Sequence, residues 1–519
     1  MEHSMWNQKY REELERRRAA SIEGGGQRRI DGQHKKGKQT ARERLTFLFD
    51  QGSFVELNSL IETQSHQLRT DNRNYPGDGV VTGYGTVNGM PVCASAQDFT
   101  VIGGTLGEYH AKKICNIMDM ALRLKIPYIS INDSGGARIE EGIASMDGYG
   151  NIFYRNTKAS GVIPQISVIL GPCAGGACYS PAITDFVFMS QHSSNMFITG
   201  PAVVSAVTGE QISADELGGA DVHMQKSGVV HFSYENDTQC LEGVKRLLSY
   251  LPENNNTLPP SMTGQPMDES DQLEEIVPDN KRKAYDIRKV IETFVDVGSF
   301  FEIQPLFAGN IVIGFARINS ESIGIVANQP LFMGGSLDIN ASEKAARFVR
   351  FCDCFNIPIL TLVDVPGFMP GRTQEHTGII RRGAKLLYAF SEATVPRVTL
   401  ILRKAFGGAY IAMNSKCLGA DFVFAWPIAE IAVMGAEGAV SILYKKEIEQ
   451  SEDPKKEYET YIQSYEEQYM TPYIAAEKGY IDEVILPEET KRKIQDAFEV
   501  LKLKDRKAAG MREHGNIPL

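Results

Sequence analysis

Two stretches of this 519-residue chain line up on each other at a nearly constant offset. Gly83 in VVTGYG has its counterpart at Gly314 in IVIGFA, 231 residues on, and Asn88 matches Asn319 at the same spacing. Gly103-Gly104 matches Gly334-Gly335, Ile126-Pro127 matches Ile357-Pro358 and Asp133 matches Asp364, all at 231. The offset then becomes 232, pairing Pro164 with Pro396 and Gly175-Gly176 with Gly407-Gly408. DFVF recurs at Asp185 and Asp421, four residues further out of step, so an insertion lies between. Upstream, FDQGSFVEL at 49–57 resembles VDVGSFFEI at 295–303. Gly, Pro and Asp falling on one another over such a length mean two copies of one fold, so the chain must build the same module twice.

The spacing predicts a first domain over 1–251, a second over 281–519, and a linker over 252–280, where Pro, Asn and acidic residues concentrate. Within each copy the pattern is α/β. PYISIND and PILTLVD are short, β-branched runs of the kind that form buried strands, and QISVILG and RVTLILR read as further strands. Between them GEYHAKKICNIMDMALRL places Ile114, Ile117, Met118, Ala121 and Leu122 at helical spacing, a core-facing stripe. Strands alternating with helices give doubly wound layers.

Composition narrows the partners. A net charge of −11 disfavours nucleic acid, whose phosphates need a basic surface. Eight cysteines occur with no C-x-x-C pair, which reads as buried reduced thiols in a cytoplasmic protein. Met1 to Arg18 is charged and lacks the apolar core of a signal peptide. No apolar run reaches the roughly 20 residues that span a bilayer.

Each copy ends a buried strand and turns through Gly-Gly-Ala into a short helix: ILGPCAGGACYSPA in the first, ILRKAFGGAYIAM in the second. Backbone N–H groups at a helix start point outward and favour negative charge. Two such groups from neighbouring loops can hold a developing oxyanion. The second donor is expected from the loop after the preceding strand, Asp133-Ser134-Gly135-Gly136-Ala137-Arg138 in one copy and Asp364-Val365-Pro366-Gly367-Phe368 in the other. G-x-S-x-G, H-E-x-x-H and the phosphate-binding G-x-x-x-x-G-K-[ST] do not occur, and none of the nine His lies in the Gly turns. The expected chemistry therefore runs on backbone dipoles through an enolate, with no metal bound.

A fold with two such turns resembles the crotonase superfamily, and longer motifs are more specific. KGKQTARERL (36–45), GDGVVTGYGTVNG (77–89), DSGGARIEEG (133–142), GPCAGGACYSPA (171–182), NQPLFMGGSLDINASEKAARFV (328–349), DVPGFMPG (364–371), LRKAFGGAY (402–410) and the terminal HGNIPL resemble the biotin-dependent acyl-CoA carboxyltransferases over nearly the whole chain. These include the propionyl-CoA carboxylase beta, methylmalonyl-CoA carboxyltransferase and methylmalonyl-CoA decarboxylase alpha subunits. The resemblance implies two tandem ClpP/crotonase-like domains, the first for acyl-CoA and the second for biotin. It implies that Gly136 and Ala177, beside Gly175 and Gly176, hold the thioester oxygen. Gly367, Gly408 and Ala409, beside Gly407, would hold the ureido oxygen. It also implies a homohexamer, a trimer of dimers, in the cytoplasm. No A-M-K-M sequence occurs, so biotin is expected on a separate carrier protein, with biotin carboxylase or membrane decarboxylase subunits as further partners.

Other expectations attach to single residues. Gly135, Ala137 and Arg138 are candidates for substrate binding, with Arg138 and Glu141 alternatively ordering the loop. Ile411, after the second turn, bears on acyl choice. Arg42 and Arg44, in the basic stretch 26–44, are candidates for the CoA phosphates, although Thr40 and Glu43 also spell a capping box at a helix start. The charged run 445–468 reads as an exposed helix pair. Beside carboxyl transfer between biotin and propionyl-CoA or methylmalonyl-CoA stand three alternatives: decarboxylation in the reverse sense, a crotonase-type hydratase, and a non-catalytic scaffold.

Overall fold

The computed structural model describes residues 3–62, 75–262 and 273–518. They form two compact units, Met1–Thr257 with His514–Pro518, and Leu258–Glu513. Each unit is built on one eight-stranded sheet. The first holds β1 (Val55–Leu57), β2 (Val80–Val87), β3 (Met90–Gln97), β4 (Tyr128–Ser134), β5 (Gln165–Ala174), β6 (Phe186–Ser190), β7 (Asn195–Phe197) and β8 (Phe232–Tyr234). Its order is β1-β2-β3-β4-β5-β6-β8, with β7 pairing on β5. The second holds β9 (Phe301–Ile303), β10 (Ile311–Ile318), β11 (Glu321–Asn328), β12 (Ile359–Val365), β13 (Arg397–Phe406), β14 (Phe422–Ala425), β15 (Glu430–Ala432) and β16 (Glu483–Val484). It repeats the order as β9-β10-β11-β12-β13-β14-β16, with β15 on β13. The repeat is therefore a repeat of topology, and the two units are tandem crotonase-like domains.

The register agrees with the sequence offsets. Tyr128 pairs with Gln165, and Ile359 pairs with Arg397. Both parallel pairs break at the same place, between Asn132 and Ser134 in β4 and between Val363 and Val365 in β12. Central strands are buried along nearly their whole length, as parallel strands covered on both faces must be. Cys93, Tyr128, Ile169 and Val187 join one core with Ile114, Ile117, Met118 and Ala121 of helix Glu108–Leu124, the stripe expected from the sequence. Leu122 packs at its margin.

That helix and its counterpart Ile339–Cys354 each carry a buried lysine. Lys113 Nζ donates to the carbonyls of Gly77 and Val80, and Lys344 Nζ to those of Gln304, Phe307 and Ile311. Burial pushes Lys113 down to about 8 and Lys344 to about 7. Each lysine ties the turn entering the second strand of its sheet to the helix that carries it.

The stretch expected as a linker is largely part of the second unit. Helix Leu273–Ile276 lies within it, and Leu273 and Val277 are buried in that unit's core. Apolar residues at helical spacing, diluted by Glu274 and Glu275, give this segment a packing face. Residues 263–272 lie outside the described residues. The C-terminal end departs from the expected boundary as well. Asn516 is buried in the first unit, where its Nδ2 donates to Asp185 Oδ1 at 3.0 Å and its N–H to Ser160 Oγ. The run 445–468 does form two helices, Lys445–Gln450 and Pro454–Tyr465, with no buried residue on either. Of the eight thiols seven are buried, and Cys417 is exposed.

The bend preceding each long helix needs a glycine. A Cβ on Gly104 would sit 2.1 Å from the Asp133 carbonyl oxygen, and one on Gly335 would sit 2.5 Å from that of Asp364. Gly334 has a similar positive φ of 60° but no atom within 4 Å of such a Cβ. Gly335→Ala is therefore expected to cost about 3 kcal/mol or more, combining overpacking with left-handed strain, against about 1–2 kcal/mol for Gly334→Ala. Denaturant unfolding of the two variants checks the difference, and equal losses would show that the close approach does not matter.

Candidate active site

The break in β4 and β12 turns a carboxylate inward. Asp133 and Asp364 are fully buried, and each accepts no water-exposed partner but a fixed set of protein donors. Their N–H groups donate to Gln97 Oε1 and Asn328 Oδ1, side chains that end β3 and β11. The chain after each Asp leaves the sheet as a loop, and both loops dock by the same bridge. Leu106 N donates to Gly136 O at 2.9 Å, and Leu337 N donates to Gly367 O at 3.1 Å. The return bonds are Arg138 N to Leu106 O and Met369 N to Leu337 O. Gly136 and Gly367 sit at φ 107° and 150°, in backbone that disfavours a side chain. Gly135 N–H is spent on Gly103 O, and Ala137 forms the bridge with Leu106.

The neighbouring strand supplies the second half. β5 runs into a 3₁₀ turn at Gly175–Cys178, and β13 runs into a helix at Gly407–Ala412. No side chain caps either start, so the leading N–H groups keep their outward dipoles. Gly175 and Gly407 take φ 64° and 59°, which glycine allows. A Cβ on Gly136 would lie 3.0 Å from Ala174 O, so the loop and the turn are adjacent. Ala177 and Ala409 point into the core, at 5% and 0% exposure. Each second glycine has an aromatic ring below it. Tyr149 is 3.0 Å from the Cβ position of Gly176, and Phe368 is 4.0 Å from that of Gly408.

The copies differ in detail. Gly136 N–H donates to Ser134 Oγ at 3.2 Å, while the second copy has Val365 at that position and offers no such acceptor. Beside Gly407 and Gly408 opens a cleft of 710 Å³ lined also by Ile411, Cys417, Val433 and Tyr480. Ile411 thus lines the cleft beside the second turn. Among the described residues, no group of three or more His, Cys, Asp or Glu is placed to hold a metal, and no helix is long and apolar enough to cross a membrane.

Two expectations about basic residues change. Arg44 is fully buried and binds Asp133 Oδ2, Asp237 Oδ2 and Leu170 O, at 2.9, 2.7 and 2.8 Å. It is out of reach of a CoA phosphate in solvent. Burial opposes its charge, and Asp133 and Asp237 more than restore it. Arg42 is paired with Glu56 and the Ser21 carbonyl. Thr40 and Glu43 do form the capping box of helix Ala41–Leu48. Arg138 is 1% exposed and binds Asp78, Glu141 and the Thr105 carbonyl, and Glu141 also caps Glu108 N–H. It orders the loop from inside. Lys38, which belongs to the basic stretch expected at the CoA phosphates, instead contacts Asp133, and sequence reasoning passed over Tyr285 and Arg403, which contact Asp364. The only signal was the basic spelling of KGKQTARERL and LRKAF.

Tandem crotonase-like domains, each with an uncapped Gly-Gly helix start beside a glycine loop, define an enzyme class that stabilises enolate-like oxyanions. The carboxyl transferase domain family matches residues 32–517. The carboxyltransferase subunit of propionyl-CoA carboxylase from Haloferax mediterranei is 54% identical over 98% of this chain and 99% of its own. The methylmalonyl-CoA decarboxylase alpha subunit of Propionigenium modestum is 52% identical over 98% of each. A crystal structure of transcarboxylase 12S, described as a hexamer with methylmalonyl-coenzyme A and methylmalonic acid bound, superposes at a TM-score of 0.94, with 50% identity over 98% of both chains. The chain belongs to the carboxyl transferase family and is a biotin-dependent acyl-CoA carboxyltransferase, moving a carboxyl group between carboxybiotin and a short acyl-CoA.

Arg138 separates ordering from binding. Arg138→Met leaves Asp78 and Glu141 buried without their cation, at a cost of about 3–5 kcal/mol. A lowered unfolding midpoint with the acyl-CoA KM within about twofold of wild type is expected, since binding energy is lost only where a contact is lost. A raised KM at unchanged stability would place Arg138 on the substrate instead.

Proposed function

We propose that the first unit takes a short acyl-CoA of the propionyl-CoA or methylmalonyl-CoA type and the second takes biotin delivered by a separate carrier protein. The observation that carries this reading is the pair of uncapped Gly-Gly starts, each adjacent to a glycine loop docked in the same register. In the first unit the N–H groups of Gly136 and of the Gly175–Ala177 turn receive the thioester oxygen. An N–H held in place stabilises a charge that is larger in the enolate than in the ground state, at about 3–4 kcal/mol for a donor in comparable holes. Ser134 Oγ shares the Gly136 N–H in the resting site and is a hydroxyl rotor that can turn to the oxygen as a donor.

In the second unit the N–H groups of Gly367, Gly408 and Ala409 are assigned to the ureido oxygen of biotin. The residues suit that group: the 710 Å³ cleft beside Gly407 and Gly408 is walled mainly by apolar side chains. When bound, biotin supplies the carboxyl group and a ring nitrogen that exchanges a proton. This chain's own residues orient that ring, withdraw charge from its oxygen and exclude water with Ile411 and Val433. Glu141, shortly after the first loop in sequence, is committed to Arg138 and to Glu108 N–H, so that carboxylate is held by the loop and is not free to move a proton.

A homohexamer fits this reading, as in transcarboxylase 12S. Ile139, Ile143 and Ile198, next to the first hole in sequence or space, are 90%, 83% and 61% exposed, apolar surface that a second copy would cover.

The purified protein is expected to consume methylmalonyl-CoA when given free biotin and to leave it untouched without biotin. Ala409→Pro removes one N–H in the first turn of the helix, where no bond to the fourth preceding carbonyl is lost. A loss on the order of 10²-fold in that activity, with assembly unchanged, is expected for one oxyanion donor. Full activity in the proline variant would remove the second hole, and rapid hydration of crotonyl-CoA without biotin would favour a hydratase.

A further inference from the structure

The two buried carboxylates occupy equivalent places, yet they are neutralised by unrelated residues. In the first unit, Lys38 Nζ lies 2.7 Å from both oxygens of Asp133, Arg44 Nη1 lies 2.9 Å from Oδ2, and Gln33 Nε2 adds a bond at 3.3 Å. All three come from the helical segment 27–48, ahead of the first strand. Space for them exists because β5 has Gly171. A Cβ there would sit 1.8 Å from Asp133 Oδ1 and 2.6 Å from Lys38 Nζ.

In the second unit the residue matching Gly171 is Arg403. Its Nε binds Asp364 Oδ2 at 2.9 Å, and its Nη1 gathers the carbonyls of Pro278, Asn280 and Lys283. Its guanidinium stacks 4.7 Å from the Tyr285 ring centroid, and the Tyr285 hydroxyl donates to Asp364 Oδ2 at 3.0 Å. Lys404 N–H completes the set on Oδ1. The cation is thus carried by the central strand itself.

Each Asp begins the loop that carries a glycine of the hole, at the break in the sheet where the register with the neighbouring strand slips by two residues. An inward carboxylate fixes that break, and the loop's next anchor is the bridge at Leu106 or Leu337. We propose that Asp133 with Lys38, and Asp364 with Tyr285 and Arg403, are positioning residues, each serving only its own hole. The acyl-side hole then takes its cations from the N-terminal segment 27–48, whereas the biotin-side hole takes its cation from strand β13, with Tyr285 beside it. This rests on the assignment of acyl-CoA to the first unit and biotin to the second.

The test uses the full-length protein and biotin-dependent loss of methylmalonyl-CoA, with both substrates varied. Lys38→Met removes one of two cations from Asp133 and keeps Arg44. Tyr285→Phe removes one hydroxyl from Asp364 and keeps Arg403. Lys38→Met is expected to lower kcat/KM for methylmalonyl-CoA about tenfold or more while the KM for biotin stays within about twofold, and Tyr285→Phe is expected to do the opposite. Lys38→Arg, which retains the charge, should recover part of the loss. If both variants lower both parameters alike, or if neither changes, the positioning roles fall. Should Lys38→Met not assemble, Tyr285→Phe decides the same question, since loss of one hydroxyl leaves the ring and its packing in place. Absence of biotin-dependent activity in the wild-type protein would instead overturn the functional assignment, so the two failures are distinct.

Discussion

A carboxylate buried at the broken end of a central strand sets the terms for everything near it. Asp133 and Asp364 are removed from water, and an isolated ionised carboxylate there would be costly enough to unfold its surroundings. The charge is tolerable only with cations and N–H donors at hydrogen-bond distance. Each unit therefore has to bring a cation to the same point. In the first unit this recruits the segment 27–48 and, through Arg44, ties it to Asp237 and to the Leu170 carbonyl. In the second it recruits residues 278–285 around Arg403. The segments that precede each module's first strand are thus ordered by a charge at the site.

With that point fixed, the rest of each hole is backbone. The loop leaves the sheet, Gly136 or Gly367 takes a conformation closed to other residues, and a two-bond bridge stops the loop from drifting. The opposing turn starts a helix with no capping side chain. Leaving N–H groups unpaired at a helix start costs stability, about 1 kcal/mol for a missing cap. The return is a set of dipoles already aimed, which need no reorganisation as charge develops. Glycine is used where a Cβ would meet a carbonyl oxygen, at Gly104 and Gly335, and where φ is positive, at Gly175 and Gly407.

Much of this was legible in the sequence because it is written in backbone-determining residues. The nearly constant offset between the copies, from the Gly83–Gly314 pair to the Gly176–Gly408 pair, follows from both copies needing Gly, Pro and Asp at the same turns, and the topology repeats strand for strand. The apolar stripe of Glu108–Leu124 and the four central strands follow from periodicity alone. The charged residues were less legible. Arg44 reads as a surface cation, since nothing in KGKQTARERL reveals that Asp133, 89 positions away, waits in the core. Arg138 is hidden in the same way by Asp78, 60 positions upstream. Leu273 and Val277 lie among acids and Pro, so their burial becomes visible only with the partner surface in place.

The pairing of Gly171 with Arg403 shows how duplicated modules come apart. The backbone around the two positions is the same, so the difference is one of which residue carries the charge. Arg403 reaches across from β13 to Asp364 on the neighbouring strand β12, and the same space in the first unit is filled by the Asp133 carboxylate and Lys38 beside Gly171. Ser134 opposite Val365, and Tyr149 where Phe368 supports the other turn, are divergences of the same kind. None alters the course of the backbone, and each alters what surrounds it, Ser134 by accepting the Gly136 N–H that Val365 leaves to other partners. A site made of main chain can keep its geometry through duplication while its supports are exchanged, which leaves the two copies of one fold free to differ in what surrounds the same backbone.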